Sequence, residues 1–559
     1  MTPEARPVPH ASLGASRLFQ AVASGAAEAL RFYAYDWRTG LSDAADAAAA
    51  FPRQRDALAD ALLAQADARG ADGAAQTNIE RLRDPRTVAV LTGQQLGLFG
   101  GPLYTVWKAL GAVVTARRVA RETGRPVVPV FWLAGEDHDL DEVRSTAVSS
   151  GETVRRVRYG TADPNNREPV GRKRLEAEPL AEALAQMERA LPEGPYRNEV
   201  LDLLREAWTP GRLWRDAFWD TLQALTRGTG LVFVSPDDPA IKALAADLFA
   251  REAEDPQATL DALQSASDAL VEAGYHAQIQ PGPLNLFWLR GDERLALDPD
   301  ASGDPNTGAA SGAIGRGTAH RISDLAVFAR ETPEALSPNV VLRPVLQDVL
   351  FPTVAYIAGP GETAYFAQLK GVYERFGVPM PAIVPRLSVS LVEPGVRKVL
   401  DRYGLDLPDL KGGIDAHWKR LAQEAQTAGA HAASGADLPA QFAAAREAAD
   451  AELARLTDLA ADLNPSLRAA GEAAQARVHK ALARLETKTV RVQKRQHDDI
   501  RKRLARAHAA LWPGGSLQER AANPFAFAVR LGLDGFAQIA DALDAQHDLH
   551  TAQHWAVDV

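Results

Sequence analysis

Three stretches of this chain gather the side chains that chemistry needs. The first is TGQQLGLFGGP, Thr92 to Pro102. Gly93, Gly97, Gly100 and Gly101 would let a ligand approach the backbone, and free N–H groups at a helix start favour an anion. Thr92 and the amides of Gln94 and Gln95 can donate to a carboxylate or accept from an amine. Tyr104 and Lys108 follow on the next element. The second stretch, GEDHDLDE, packs five carboxylates and an imidazole into the seven positions Glu136, Asp137, His138, Asp139, Leu140, Asp141 and Glu142, with Trp132 just ahead. Such a cluster can bind an ammonium, hold Mg²⁺ beside a nucleotide, or push His138 towards its charged form for acid–base work. The plain alternative is a solvated loop with a helix cap, which accounts for Asp141 and Glu142 better than for the four residues before them.

The third stretch is AGPGETAYFAQLK, where Gly359 and Gly361 turn into a helix carrying Glu362, Tyr365 and Gln368 at spacings of three. Arg343, Gln347 and Asp348 sit on a helix ahead of it, and VPRLSVS sets Arg386 and Ser388 just past a strand. Arg343 and Arg386 are candidate forks for a substrate carboxylate, with Lys108 a further candidate. A buried salt bridge is the plain reading of each.

These residues need a frame that brings strand ends together. TVAVL reads as a buried strand, LYTVWKALGAVVTARRVARETG as a helix closed by Gly124, and RPVVPVFWLAG as a second buried strand. That is a βαβ unit, so a parallel sheet with a right-handed crossover is expected. Ligands of such sheets bind at the carboxyl ends of the strands, where both polar loops fall. GTGLVFVSPDD and PAIVP supply further strands, and the section from Val340 repeats the first unit in plan. The expected fold is α/β: a Rossmann-like parallel-sheet core over 1–394, with a helical start and insertions near 142–215 and 236–335. Within the second insertion, Ser302–Gly317 reads as partly mobile. Residues 395–512 form a helical coiled-coil arm, and 513–559 return as short helices onto the core. In the arm, Asn464-Pro465 marks a break. Val478, Leu482, Leu485, Thr489, Val492 and Gln496 then recur at heptad spacing. A helix from Pro465 to Leu511 would be roughly 70 Å long at ~1.5 Å per residue. Either a hairpin within one subunit or a dimer contact must cover that seam.

Composition removes several function classes. The chain has 559 residues and no cysteine, which excludes disulfides, thiolate metal sites and a cysteine nucleophile. A net charge of −10 makes nucleic acid an unexpected partner. No apolar run approaches the ~20 residues of a membrane span, and no secretory signal is visible, so a cytoplasmic protein is expected. Neither G-x-G-x-x-G nor G-x-x-x-x-G-K-[ST] occurs, which disfavours nicotinamide-dinucleotide and P-loop enzymes.

VLTGQQLGLFGGPLYTVWKALGAV, GRPVVPVFWLAGEDHDLDEV, RPVLQDVLFPTVAYIAGPGETAYFAQLK and PAIVPRLSVSLVE together closely resemble the BshC family, the cysteine ligases of bacillithiol synthesis. LWPGGSLQERAANPFAF is similar to the tail of that family. The resemblance implies a core related to class I aminoacyl-tRNA synthetase-type nucleotidyltransferases, two connecting insertions, and a coiled coil used for homodimerisation. It implies amide formation between the carboxyl of cysteine and the amine of glucosaminyl-malate. The synthetase signatures themselves are absent, so adenylate formation does not carry over from sequence. The bond still requires an activated carboxyl, an adenylate or acyl phosphate, and ATP with Mg²⁺ is the expected donor. No resident metal site is expected. Two other readings stay open: a metal-dependent hydrolase built on 136–142, and a synthetase-like RNA binder using Arg491, Lys494 and Arg495 of the arm.

Overall fold

The computed structural model describes residues 4–150, 153–161, 163, 165–297, 324–421, 438–546 and 550–559. The stretch Ser302–Gly317 lies outside them. The chain divides into two compact units, one of 1–394 with 511–559 and one of 395–510.

The first unit is built on five parallel strands: β1 (Val88–Gln95), β2 (Val127–Ala134), β3 (Val232–Val234), β4 (Thr353–Ala358) and β5 (Ala382–Pro385). Their order across the sheet is β5-β4-β1-β2-β3. This is the 3-2-1-4-5 order of doubly wound folds, in which the direction of winding reverses between the first and fourth strands. Side chains alternate into two cores. Val128, Val130 and Trp132 of β2 enter one, and Phe131 and Leu133 the other. Both faces are covered, which is why these strands read as continuous apolar runs. The crossover helix α1 (Tyr104–Thr123) ends at Gly124 in the left-handed conformation, as its sequence predicts.

The first insertion carries an antiparallel hairpin, Ser145–Ser150 with Thr153–Arg158, followed by three helices. The second carries helices and a small antiparallel sheet. Two further helices matter for the site: α2 (Leu342–Leu350) and α3 (Pro360–Phe366). The carboxyl-terminal segment returns as short helices and then adds a strand that the sequence reading omits. His554–Asp558 pairs in parallel with Ser388–Val392 and antiparallel with Ala5–Val8, joining both ends of the chain in one sheet.

In the second unit, α4 (Leu438–Leu463) and α5 (Arg468–Leu511) form an antiparallel hairpin. Asp450 accepts from His479 and Gln475, and Arg446 pairs with Glu486. A Cβ at Gly471 would collide with Thr457, so the helices touch most closely near the turn. The heptad reading is only partly right. Val478, Leu482 and Thr489 are half-buried, but Leu485 and Val492 are 56% and 55% exposed. The covered face runs Gly471, Gln475, Val478, Leu482, Glu486 and Thr489 instead, and the side chain of Gln496 lies outside the described residues.

Candidate functional site

The polar loops converge where the sheet reverses its winding. A cleft of about 420 Å³ opens at the carboxyl ends of β1 and β4. Gly93, Gln94 and Gln95 line it from β1, Trp132 from β2, and Tyr104 and Lys108 from α1. The β4 side supplies Gly359, Gly361, Glu362 and Tyr365, with Arg343 and Gln347 from α2 and Arg386 beyond β5. Asp137 joins them from the acidic loop. Tyr356, Gln278, Glu142 and Arg520 also line it. Tyr356 is hidden in an apolar run and Gln278 in a loop, so neither carries a sequence signal. Arg520 lies in the tail segment LQERAAN, whose adjacent Glu and Arg are the only hint.

The cations of this cleft are largely spoken for. Lys108 is fully buried on α1. Its Nζ donates to Gly93 O and to Gln94 Oε1, and pairs with Glu362 Oε2 at 2.7 Å. Burial pulls its ammonium below the usual lysine range even with Glu362 beside it. Glu362 also accepts from Tyr356 OH and from Gly359 N–H, capping α3. Arg386 forms a fork with Glu519, itself 1% exposed, and Ser388 Oγ donates to the same carboxylate at 2.8 Å. Burial opposes the Glu519 charge, but Arg386 outweighs it and holds the carboxyl at about 2. Thus Ser388 does not reach the cleft. Its hydroxyl bridges Glu519 and His554 Nδ1. Arg343 keeps more freedom: among the described residues its guanidinium donates only to Tyr365 OH, at 3.2 Å. Trp132 is buried with its indole N–H lacking an acceptor among the described residues.

The glycine loop works in two halves. Gly93 to Gln95 face the cleft, whereas Thr92 lies behind it and donates to Ile357 O. Gly97, Gly100 and Gly101 shape a tight turn rather than the cleft. A Cβ on Gly97 would sit 2.5 Å from Gly101 Cα, and Gly101 has φ 72° and ψ −154°, a conformation for glycine alone. Phe99 between them is itself left-handed. Asn523 fastens this turn, its Nδ2 donating to Phe99 O and Gly101 O.

The acidic loop does not act as one cluster. Glu136 is buried against Lys242, which also donates to Leu336 O, so it anchors the loop rather than facing a ligand. Asp139 caps the helix Leu140–Val143, and Asp141 pairs with Arg144. Asp137 and Glu142 both accept from Gln95 Nε2, at 3.3 and 2.8 Å. Burial works against the Asp137 charge, but Arg294, His138 and two backbone N–H groups hold the carboxyl below its usual range. His138 stands outside the cleft lining, and its shift is opposite to the sequence expectation. Burial lowers its pKa more than Asp137 raises it, which favours the neutral ring. Gln368 also misses the cleft. The helix ends at Phe366, and the amide turns inward to Ser267 and Ile279. Among the described residues no three His, Asp or Glu side chains converge to hold a metal ion. No described helix is long and apolar enough to cross a membrane.

The family model "Bacillithiol biosynthesis BshC, N-terminal Rossmann-like domain" matches residues 6–387, and "Bacillithiol biosynthesis BshC, C-terminal coiled-coil domain" matches 389–555. The second match runs past the arm into the segment that packs with the core. The "Putative cysteine ligase BshC" of Salinibacter ruber is 41% identical over 88% of both chains. The proteins of that name from Chlorobaculum tepidum and Koribacter versatilis are each 33% identical, over 88% and 96% of this chain and 87% and 96% of their own. A solved "putative arginyl t-RNA synthetase" chain from Campylobacter jejuni is 13% identical, covers 78% of this chain and 96% of its own, and has a TM-score of 0.22, too low to carry an argument. Matched from end to end by both domain models, the chain belongs to the BshC family.

Proposed function

We propose that this protein is a ligase that joins the carboxyl of cysteine to the amine of glucosaminyl-malate, forming bacillithiol in the cytoplasm. The observation that carries the reading is the polar cleft at the winding reversal, in a chain 41% identical to a protein named as a cysteine ligase. Amide formation from a free carboxylate is uphill in water, so the carboxyl needs a leaving group, which ATP with Mg²⁺ would supply. Arg343 and the unpaired Trp132 N–H are the donors aimed at the activated carboxyl end. Gln95, held between Asp137 and Glu142, sets those carboxylates at the cleft floor. There they hold the acceptor's ammonium, which gives one proton to water to become the free amine; its nitrogen then bonds to the carbonyl carbon, Asp137 takes the second proton, and the leaving group departs with its bonding electron pair. His138 lies outside the cleft lining, so the proton is assigned to Asp137.

Purified protein given glucosaminyl-malate, cysteine and ATP should yield bacillithiol by mass spectrometry, and Gln95→Ala should abolish it without unfolding the chain. Turnover without any nucleotide would remove ATP from the reading. A fully active Gln95→Ala variant would remove the site.

We also propose a homodimer through the arm, because Leu456, Leu459 and Leu463 leave an exposed apolar stripe on α4. Sedimentation as a monomer at micromolar concentration would refute it.

A further inference from the structure

Beside the cleft lies a second cavity of about 270 Å³ that shares Gln94, Gln95, Tyr104, Glu142 and Arg520 with it. Its outer wall comes from segments distant in sequence. The hairpin Ser145–Ser150 with Thr153–Arg158 sets Ala147 opposite Arg156. A β-bridge joins Ala147 to Ala522, with Asn523 N donating to Ala147 O at 2.7 Å. Arg520 precedes that bridge by two residues. Two guanidinium groups are therefore delivered to one cavity from neighbouring segments, and both line it. Asn523 also donates to Thr146 Oγ1, so the wall is fastened to the glycine loop by the same side chain.

These two cations differ from the arginines around them. Arg144 pairs with Asp141 and donates to Gly160 O, Arg155 donates to Arg189 O, and Arg386 is forked on Glu519. The guanidinium groups of Arg156 and Arg520 make no hydrogen bond or ion pair with any described residue, although the Arg520 backbone N–H donates to Leu517 O. Glu142 is the one carboxylate among the described lining residues, and it already accepts from Gln95. Ser145 and Ser516 add hydroxyl groups.

We propose that this side cavity is the subsite for the dicarboxylate end of the acceptor, held by Arg156 and Arg520. A guanidinium fork matches a carboxylate in two parallel hydrogen bonds, and two forks match two carboxylates. The shared wall of Gln94, Gln95 and Tyr104 then passes the acceptor's amine into the main cleft. The inference rests on the ligase reading for the acceptor's identity. Arg386 and Lys108, candidates for a substrate carboxylate from the sequence, are already paired with Glu519 and Glu362. Phosphate oxygens would meet the same forks, so a nucleotide is the competing source of this chemistry.

Calorimetric titration of glucosaminyl-malate, free L-malate and ATP into the intact wild-type, Arg156→Ala and Arg520→Ala proteins separates these cases. Each substitution should weaken both malyl ligands roughly ten- to hundredfold and leave ATP unchanged. Arg156→Lys should recover part of the loss. Unchanged malyl affinity in both variants, or no malyl binding by the wild type, overturns the subsite. Loss of ATP binding with malyl binding intact overturns it in favour of a phosphate site. Malyl binding that needs both arginines, in a protein that never forms the amide, would sustain the subsite while sinking the ligase reading. Amide formation with malyl affinity unchanged in the variants would do the reverse.

Discussion

The main cleft and its side cavity share a wall and Arg520, but the buried cations Lys108 and Arg386 of the first and the exposed arginines of the second are treated in opposite ways. In the main cleft Lys108 and Arg386 are 2% and 5% exposed, and each is matched to a carboxylate. Every acceptor position of Glu519 is in use: Oε1 takes Arg386 and Ser388, and Oε2 takes Arg386 and the Val389 N–H. In the side cavity Arg156 and Arg520 are exposed, and their guanidinium groups are unmatched among the described residues. The cause is solvation. A buried cation without a partner costs several kcal/mol, so the fold must supply one, whereas an exposed guanidinium is satisfied by water until a ligand displaces it. A cation lining a cavity is thus available to a substrate only where the fold has not already used it.

Glu519→Gln breaks that contrast most severely. It leaves the Arg386 charge buried without a counter-charge, at a cost of about 3–5 kcal/mol. The thermal midpoint should fall by several degrees and product formation should fall with it. Arg520→Ala, one residue away and solvated, should leave the midpoint where it was. Equal midpoints for wild type and Glu519→Gln would mean that Arg386 is free to meet a ligand, and the contrast between the two cavities would collapse.

The contrast also marks what the sequence makes legible. Gly93, Gln94, Gln95, Gly359 and Glu362 announce themselves, because turns between apolar strands and helices have a local signature and the doubly wound fold sends them to one edge. The direction of an arginine has no such signature. Arg386 reads equally well as a substrate fork or a salt bridge, and only Glu519, 133 positions later, decides between them. Glu519, Arg520 and Asn523 all belong to a tail that sequence treats as packing, although it caps Arg386, enters the cleft and fastens the glycine turn. The strand His554–Asp558 is short and pairs only with distant segments, so no periodicity exposes it. His138 fails for a related reason: five nearby carboxylates suggest a raised pKa, but burial and Arg294 act through space and reverse it. In the arm, Leu485 and Val492 follow the heptad count, yet the hairpin contact takes Glu486 in place of Leu485.

Acidification sharpens the same comparison with a smaller effect. Burial holds His554 and His10 at about 4, below their ordinary 6.5, so the unfolded chain takes up these protons first. The stability they contribute is complete above about pH 6.5 and is lost as the pH falls through 4. Glu519 keeps its contribution above its ordinary 4.5 and loses it as the pH falls through about 2. The thermal midpoint should therefore decline already between pH 6.5 and 4.5, before most carboxylates titrate, and decline further below that. A flat midpoint down to pH 4.5 would show that the buried network does not hold its histidines neutral.

Ser388→Ala should have the smallest effect of the three, and it tests the assignment of one residue from binding to structure. Its hydroxyl donates to Glu519 and meets His554 Nδ1, so removing it leaves two buried groups each short of one partner. Glu519 retains both Arg386 bonds and the Val389 N–H, which limits the loss to about 1–3 kcal/mol, less than Glu519→Gln. Because the side chain lies behind Arg386 and outside the cleft lining, KM for cysteine and for the acceptor should both stay at the wild-type value while the thermal midpoint drops. The opposite pattern, an unchanged midpoint with a raised KM, would place the hydroxyl on the substrate. Arg386 would then have to be free to move off Glu519, and the main cleft would belong with the side cavity rather than against it.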